Sequence, residues 1–258
     1  APLNFAWYAS QMGAEVSLLS TVGNDQLGDR ALNTILNTKI EAMVTRSELP
    51  TGVTEVSSDG SFTIARGKAW ENISVPISSG RDLQLLYFGS LAQVSKENRS
   101  SLKTLLDRNP KYVFVDLNLR ANCYTKQTIE DCLYYATMLK VNEKEWNVVS
   151  EITGINEPEL LMRRKRLKAM AITRGKNGAT LYSAAGGIEF KPSSIELVDQ
   201  TGAGDAFSAV LAVGILLNAH PAQALAASCQ AGAVVASKKG ALVDLPKDIL
   251  EAYEEELS

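Results

Sequence analysis

Short apolar runs alternate with amphipathic stretches along most of the chain. Apolar runs bounded by turn residues predict buried strands, and apolar residues repeated every three to four positions predict helices. Strands are predicted at 16–21, within 83–90 and 111–118, from 138, within 167–175, and as three short segments in 178–199. Helices are predicted at the N-terminus, at 25–36 with Asn24 as N-cap, at 96–106 and 126–138, after Val141, at 203–218 and 222–237, and from Pro246. This alternation predicts an α/β fold with a mostly parallel sheet covered on both faces.

One β-rich segment, 51–76, interrupts the alternation. Its two β-rich runs flank Asp59 and Gly60, a dipeptide that strongly favours a β-hairpin. We therefore predict a small sheet that stands off the main body. In parallel α/β sheets ligands bind beyond the carboxyl ends of the strands, so candidate functional residues should directly follow strands.

Composition excludes several classes of function. The 258 residues carry 26 basic and 29 acidic side chains, a net charge of −3, and no basic block, which argues against a nucleic-acid partner. The longest nearly unbroken apolar stretch, 206–217, is too short for a membrane span, and no signal peptide is expected. Three widely spaced cysteines fit neither a disulfide framework nor a zinc site and indicate the cytoplasm: Cys123, Cys132 and Cys229.

A single histidine, His220, limits the chemistry further. It excludes multi-histidine zinc sites. It also argues against a Ser-His-Asp catalytic triad, since His220 would have to be the only base. His220 precedes a predicted helix, where a solvated residue is expected. Any catalysis must therefore use carboxylates, Lys, Arg or main-chain amides.

The start of the long helix after 200 carries the strongest functional pattern. Gly202, Ala203 and Gly204 open this helix, and Asp205 lies in its first turn. Free N–H groups and the helix dipole favour an anion there, and small residues let a phosphate approach. A carboxylate beside an anion needs another task, and Asp205 could accept a proton from an attacking hydroxyl. Alternatively, Asp205 only complements the dipole.

The segment VDQTGAGDAF, 198–207, resembles the C-terminal signature of the PfkB family, the ribokinase-like sugar kinases. Residues 1–29 resemble the family's N-terminal signature, and ITRGKNGATLY, 172–182, resembles its nucleotide-side strand and turn. The resemblance covers essentially the whole chain. It implies one ribokinase-like domain, 1–258, a three-layer αβα sandwich with 51–76 as a β lid. It also implies that Asp205 is the catalytic base and that the amides of Gly202, Ala203 and Gly204 form an anion hole.

Two polar motifs that follow predicted strands match further family positions. Asn142 and Glu145 match its Asn-x-x-Glu motif, which implies positioning of phosphate and of Mg²⁺ through water; they could instead form a capping box. The sequence DLNLR, 116–120, is similar to the D-x-N-x-R of fructokinase-like and ketodeoxygluconate-kinase-like members. There Asn118 would contact substrate and Arg120 would clamp phosphate, unless Arg120 only pairs with Asp116.

The resemblance assigns the sugar to the N-terminal signature and the lid. Asn4 matches an Asn that binds sugar hydroxyls, and Gly23 and Asp25 match later positions, although Asp25 could be a helix-terminal carboxylate. Arg66 is similar to an Arg of the acid-sugar and fructose branches, or it is an exposed charge on a strand edge. Such lids exclude water and often pair between subunits, which implies a homodimer through the lid.

The resemblance also assigns a nucleotide side. The residues implied to line ATP there are Thr173, Gly175, Thr201, Ala233 and Gly240. The helical Ala and Gly could equally be close-packing positions. Asp199 and Thr201 match residues that hold a monovalent cation, K⁺, in many relatives, but Asp199 could instead cap a turn.

The family pattern includes a strand and turn of roughly 20–30 residues before Ala1, with an acidic sugar-binding residue, and we expect the parent protein to contain it. The resemblance implies an ATP- and Mg²⁺-dependent cytoplasmic kinase of a ketohexose, fructose first. The alternatives are a 2-keto-3-deoxygluconate kinase, in which Arg66 would bind the substrate carboxylate, and a non-catalytic sugar-binding homologue. A dinucleotide-binding enzyme is disfavoured because the early Gly-rich fingerprint is absent.

Overall fold

The computed structural model describes residues 1–56, 62–75 and 82–253. Within these ranges the strands are β1 Ser17–Gly23, β2 Glu41–Ser47, β3 Thr54–Val56, β4 Phe62–Ile64, β5 Leu85–Phe88, β6 Tyr112–Asp116, β7 Met138–Asn142, β8 Ala169–Thr173, β9 Ala179–Ser183 and β10 Gly186–Phe190. The α-helices are α1 Pro2–Gln11, α2 Gln26–Leu36, α3 Lys96–Leu106, α4 Lys126–Tyr135, α5 Glu143–Thr153, α6 Pro158–Lys165, α7 Ala203–Leu216, α8 Pro221–Ala236 and α9 Lys247–Leu250.

The central sheet has six strands in the order β10-β9-β8-β7-β6-β5. Strands β5 to β8 are parallel, and β9 and β10 extend the sheet antiparallel. All five residues of β6 are buried, because a parallel strand between two helical layers needs side chains that tolerate burial on both faces. The predicted α/β class with a mostly parallel sheet is confirmed. The carboxyl ends of β5 to β8 meet at one edge of the sheet.

Each face of this sheet carries its own hydrophobic cluster. On one face, helices α1, α7 and α8 pack on residues such as Phe114 and Met138. On the other face, helices α3 to α6 pack on Val113, Val115 and Leu139. Adjacent strand residues point to opposite faces, so the alternation of Val113, Phe114 and Val115 builds both clusters. The result is three layers, with helices on both sides of the sheet.

Two smaller sheets lie apart from the central one. β1 and β2 form a parallel pair with a small cluster of Ala6, Leu18, Ile35 and Ile40. β3 and β4 pair antiparallel, as the prediction of a hairpin requires. The predicted turn dipeptide, Asp59–Gly60, and position 76 of the lid segment lie outside the described residues.

Several predicted boundaries are wrong. The N-cap of α2 is Asp25 and not Asn24, because the Asp25 carboxylate accepts the Gly28 N–H. Helix α4 ends at Tyr135, since Met138 already begins β7. The last helix does begin where it was predicted, since Pro246 is the N-cap of α9. The third strand expected in 178–199 does not form, and β2 and α6 were not predicted.

His220 is the N-cap of α8, and its Nδ1 accepts the Ala222 N–H. This agrees with the expected position before a helix. In the part of the chain that the structure describes, no helix has the length and apolar character needed to cross a bilayer.

Candidate active site

The carboxyl ends of three neighbouring strands bring together polar residues from distant parts of the sequence. The parallel register pairs Asp116 of β6 with Lys140 of β7, and Asn142 of β7 with Thr173 of β8. The chain leaves β6 through the loop with Asn118, whose φ of +44° is left-handed, a conformation that Asn tolerates better than most residues. This edge is where the fold class places ligands.

Asp205 lies in the first turn of α7 and is only 8% exposed. Its Oδ2 accepts a hydrogen bond of 2.7 Å from Nδ2 of Asn4 on α1. The first and last signatures of the sequence therefore meet at this carboxylate. Burial raises the pKa of Asp205, and a more basic carboxylate is a better proton acceptor.

The N-terminus of α7 is built by residues without large side chains. Gly202 is its N-cap with φ of +85°, and a Cβ there would lie 2.7 Å from the Ala241 carbonyl oxygen, so only glycine fits. The N–H groups of a first helical turn have no intrahelical partner. The Ala203 N–H, however, donates to the Gln200 carbonyl oxygen at 3.2 Å. An anion would therefore compete with this turn for one of the three predicted amides.

A buried ion pair that the sequence analysis missed lies next to this helix start. Lys140 Nζ donates to both carboxylate oxygens of Asp116, at 3.1 and 3.2 Å, and Ser208 Oγ of α7 donates to Asp116 Oδ2 at 2.9 Å. Burial opposes the charge of Lys140, but Asp116 and Glu145 raise the pKa of Lys140, so the ammonium stays charged. The one signal in the sequence was a lysine within an apolar strand.

Glu145 and Asn142 form the capping box that was the alternative explanation of their spacing. Glu145 Oε2 accepts the Asn142 N–H at 2.8 Å, and Asn142 Oδ1 accepts the Glu145 N–H at 3.0 Å. Glu145 Oε1 also accepts the Leu119 N–H at 2.9 Å, which ties the loop after β6 to α5. Burial raises the pKa of Glu145, and Lys140 opposes this effect.

The family resemblance implies Mg²⁺, and the donor set near Glu145 fits an ion held through water. Each carboxylate oxygen can accept a second hydrogen bond beyond those from the main chain, and Mg²⁺ usually keeps several of its waters. Direct coordination by several side chains is not offered, since no group of three His, Cys, Asp or Glu in the described ranges could hold a metal ion.

The predicted sugar-side residues Gly23 and Asp25 bind the chain's own backbone. Asp25 caps α2 and accepts hydrogen bonds from the Thr51 hydroxyl at 2.6 Å and the Thr51 N–H at 2.8 Å. These bonds, the hydroxyl's first, lower the pKa of Asp25. A Cβ on Gly23 would lie 2.6 Å from the Thr51 nitrogen. Both residues thus join the β1–α2 turn to the start of the lid, and Asp25 is the helix-terminal carboxylate of the alternative explanation.

Arg66 forms a two-point ion pair with Glu71 inside the lid. Its Nε and Nη2 lie 2.9 Å from the two carboxylate oxygens of Glu71, and the guanidinium is half exposed. The Glu71 hydrogen bond raises the pKa of Arg66. A substrate carboxylate would have to compete with Glu71 for this arginine.

The predicted nucleotide-side residues lie at the end of β8, just before α7, and within or just after α8. Asp199 accepts the Thr201 N–H at 2.9 Å and the Gly240 N–H at 3.0 Å, so it caps a turn, which was the alternative to a cation site. Gly232 packs on α7, since a Cβ there would lie 3.2 Å from the Ala203 carbonyl oxygen. Ala233 is the next residue of α8. Gly175 follows β8 in a short 3₁₀ turn.

A helix N-terminus and a buried carboxylate at the ligand edge of an α/β sheet are the features that the sequence predicts for a phosphoryl-transfer site. The chain belongs to the pfkB family of carbohydrate kinases, whose family profile matches residues 1–248. It is therefore a phosphotransferase with an alcohol group as acceptor, and the expected family is confirmed.

The chain is also similar to individual proteins in sequence and in fold. A fructokinase of Klebsiella pneumoniae is 27% identical in an alignment that is 287 positions long and covers 97% of this chain and 90% of that protein. The structure of a fructokinase from Xylella fastidiosa with bound ATP matches with a TM-score of 0.86 and 17% identity, over 99% of this chain and 90% of its own. A fructokinase from Vibrio cholerae O395, bound to fructose, ADP and calcium, matches with a TM-score of 0.83 and 22% identity, over 97% and 89%. At these identities the structural likeness shows the fold alone.

Proposed function

We propose that this kinase transfers the γ-phosphoryl group of ATP to a hydroxyl of a ketohexose, with fructose as the first candidate. The observation that carries the proposal is the buried Asp205 carboxylate, held by Asn4, in the first turn of a helix that opens with Gly202 and Gly204. Similarity to the Klebsiella fructokinase supports the substrate class.

In the proposed transfer, Asp205 removes the proton of the attacking hydroxyl. Because Asn4 holds Oδ2, Oδ1 is the oxygen assigned to accept this proton. The sugar oxygen then forms a bond to the γ-phosphorus while the bond to the ADP oxygen breaks. Main-chain amides of Gly202, Ala203 and Gly204 would stabilise the charge on the transferring group, with the Ala203 amide giving up its bond to Gln200. Arg120 would clamp phosphate oxygens.

The proposed ATP site comprises residues at the ends of β7 and β8 and around α7 and α8. It uses Asn142, Thr173, Gly175, Thr201, Ala233 and Gly240. Mg²⁺ held through water near Glu145 would offset the phosphate charge. A K⁺ ion beside Asp199 and Thr201 remains part of the proposal, since carboxylate and carbonyl oxygens suit such a cation. The ATP-bound fructokinase of Xylella fastidiosa supports ATP as the donor.

The first experiment replaces the proposed base. Asp205→Asn keeps an oxygen that can accept the Asn4 hydrogen bond but cannot take a proton, so we expect kcat to fall about 10²- to 10⁴-fold. ATP affinity should change little, because the amides remain. Asp107→Asn, an exposed surface change, is the matched control. Turnover of Asp205→Asn equal to that of the parent protein would refute the base assignment.

The substrate is tested on the full-length protein with a panel that includes fructose, fructose 6-phosphate and 2-keto-3-deoxygluconate. We expect the highest kcat/KM for fructose. Arg66 already forms an ion pair with Glu71, which disfavours the binding of an acid sugar through its carboxylate. Preference for 2-keto-3-deoxygluconate, lost in Arg66→Gln, would establish the acid-sugar alternative. Sugar binding without turnover of any substrate would establish the non-catalytic homologue.

A homodimer through the lid is also proposed. A two-stranded sheet is marginal by itself, and the β3–β4 pair would gain stability by packing on a second copy. Sedimentation velocity tests this directly, with a dimer as the expected species and a monomer at all concentrations as the contrary result.

A further inference from the structure

A buried charged cluster lies directly beneath the first turn of α7. The pair of Asp116 and Lys140 is almost completely buried, with side chains 1% and 8% exposed. The charges that act on Lys140 are three carboxylates, those of Asp116, Glu145 and Asp205. The mechanism above uses Asp205 and Glu145 but gives no task to Lys140 or Asp116.

The geometry connects this cluster to the reacting groups. Lys140 Nζ lies 3.2 Å from the position that a Cβ on Gly204 would occupy, so the ammonium takes the side-chain space of the residue immediately before Asp205. Ser208, one turn after Asp205, donates to Asp116. The cross-strand register of Asp116 and Lys140 fixes both side chains on the sheet. The cluster therefore binds the catalytic end of α7 to the central strands.

We propose that Lys140 is a positioning residue for phosphoryl transfer: its charge, anchored by Asp116, offsets the neighbouring carboxylates, keeps Asp205 ionised and supports the backbone at Gly204. The inference rests on the proposed kinase mechanism. Stability alone does not account for the pair, since a buried ion pair is often no more stabilising than well-packed apolar residues of similar volume. Its position under the helix start indicates a role in the reaction.

The groups that act on Asp205 come from several elements. Asp116 and Lys140 face it from β6 and β7, Asn4 and Tyr8 from α1, and Tyr87 from β5. Removing the charge of Lys140 leaves the repulsion by Asp116 and should make Asp205 harder to ionise. Removing the charge of Asp116 has the opposite effect, because Lys140 then acts on Asp205 alone. When both charges are removed, the two opposite effects on the ionisation of Asp205 should nearly cancel.

The experiment measures the pH dependence of kcat, with the best sugar of the panel, for Lys140→Met, Asp116→Asn and the double variant. We expect the acidic limb to move up by roughly one pH unit in Lys140→Met. It should move down in Asp116→Asn and return close to the parent value in the double variant. Lys103→Met, which removes an exposed lysine, should leave the limb unchanged.

A purely structural lysine gives a different result. Lys140→Met would then lower the urea midpoint, or lower kcat equally at every pH, with no movement of the limb, and this outcome overturns the proposal. If Lys140→Met does not fold, Asp116→Asn and the double variant decide, because the double variant leaves no unpaired buried charge. The proposal is also overturned if the acidic limb of kcat lies at the same pH in Asp116→Asn and in the double variant.

A readout without turnover separates this inference from the proposed function. Asp205→Asn is introduced into Lys140→Met, Asp116→Asn and the double variant, and urea stability is measured over a range of pH. The change in stability that Asp205→Asn causes in each of these three proteins reports the ionisation of Asp205 itself. If no sugar is phosphorylated, the proposed function fails. The order of the Asp205 pKa values in these three proteins still supports or refutes the role of Lys140.

Discussion

A buried carboxylate is unfavourable for folding unless its charge is compensated or used. Asp205 accepts one hydrogen bond from Asn4, and burial still raises its pKa. The folded protein therefore holds a proton at Asp205 at pH values where the unfolded chain has released it. Residues chosen for stability alone would not produce this arrangement, whereas a proton acceptor for an alcohol benefits from it.

This difference in proton binding predicts how stability depends on pH. The pKa of Asp205 is raised from its ordinary value of 3.8, so its contribution to the free energy of unfolding falls as the pH rises from 3.8 through the folded-state pKa and stays low above it. We expect Asp205→Asn to be more stable than the parent at pH 7, by about 1.4 kcal/mol for each unit of elevation. The gain should disappear below pH 3.8. Urea unfolding at several pH values measures it, and an equal stability difference at all pH values would contradict the elevated pKa.

Some site residues could be predicted from sequence because the backbone or a motif restricts the residue type. Gly202 needs a left-handed φ and a position without a Cβ, and such a requirement is visible in a single sequence. Lys140 could not be predicted in this way. Its charge makes sense only beside Asp116, 24 residues earlier, and that pairing depends on a strand register that the sequence does not reveal.

Helices and strands were predictable where burial leaves a clear period. Helix α3 has the predicted bounds, and Ser95 caps it through the Asn98 N–H. Strand β2 has no buried residue, so its pattern carries no alternation. The segment after β10 has the apolar residues of a strand, yet Leu197 and Val198 are more than half exposed and pair with no strand. The sequence pattern alone could not distinguish this exposed segment from a buried one.

The start of α7 depends on one glycine, and a second glycine with the same φ is its control. Gly202 and Gly13 both have φ of +85°, but a Cβ would meet the Ala241 backbone at Gly202 and nothing within 4 Å at Gly13. Gly13→Ala should therefore lose about 1–2 kcal/mol from backbone strain alone. Gly202→Ala should lose more, together with kinase activity, because the Ala241 backbone must move. Urea unfolding compares the two, and equal losses would show that the contact is unimportant.

On the scale of the whole molecule, apolar burial is distributed unevenly among the residues that the structure describes. The six-stranded sheet is covered on both faces by large clusters, whereas β1 and β2 depend on the four-residue cluster of Ala6, Leu18, Ile35 and Ile40. The layered architecture followed from the alternation of strands and helices. The separation into a large and a small parallel sheet did not, because the pattern shows which segments are strands but not which strands pair.

This uneven burial predicts two levels of stability. Local opening requires less free energy where few apolar contacts are lost, so amides of β1 and β2 should exchange with solvent sooner than those of β6 and β7. Two strand leucines provide a matched pair. Leu139→Ala removes a fully buried side chain of the central sheet and should lower global stability by about 2–5 kcal/mol. Leu18→Ala should mainly accelerate exchange in β1, β2 and α2.

Hydrogen exchange followed by mass spectrometry, at low urea concentrations, measures both levels. The expected order is loss of protection first around Leu18 and last around Leu139. The same protection in β1 as in β6, or a Leu18→Ala variant that accelerates exchange equally in all strands, would mean that the small sheet unfolds only with the whole molecule. In that case the contacts of α1 with α7, which also connect Asn4 to Asp205, would have to stabilise the small sheet more than its own cluster does.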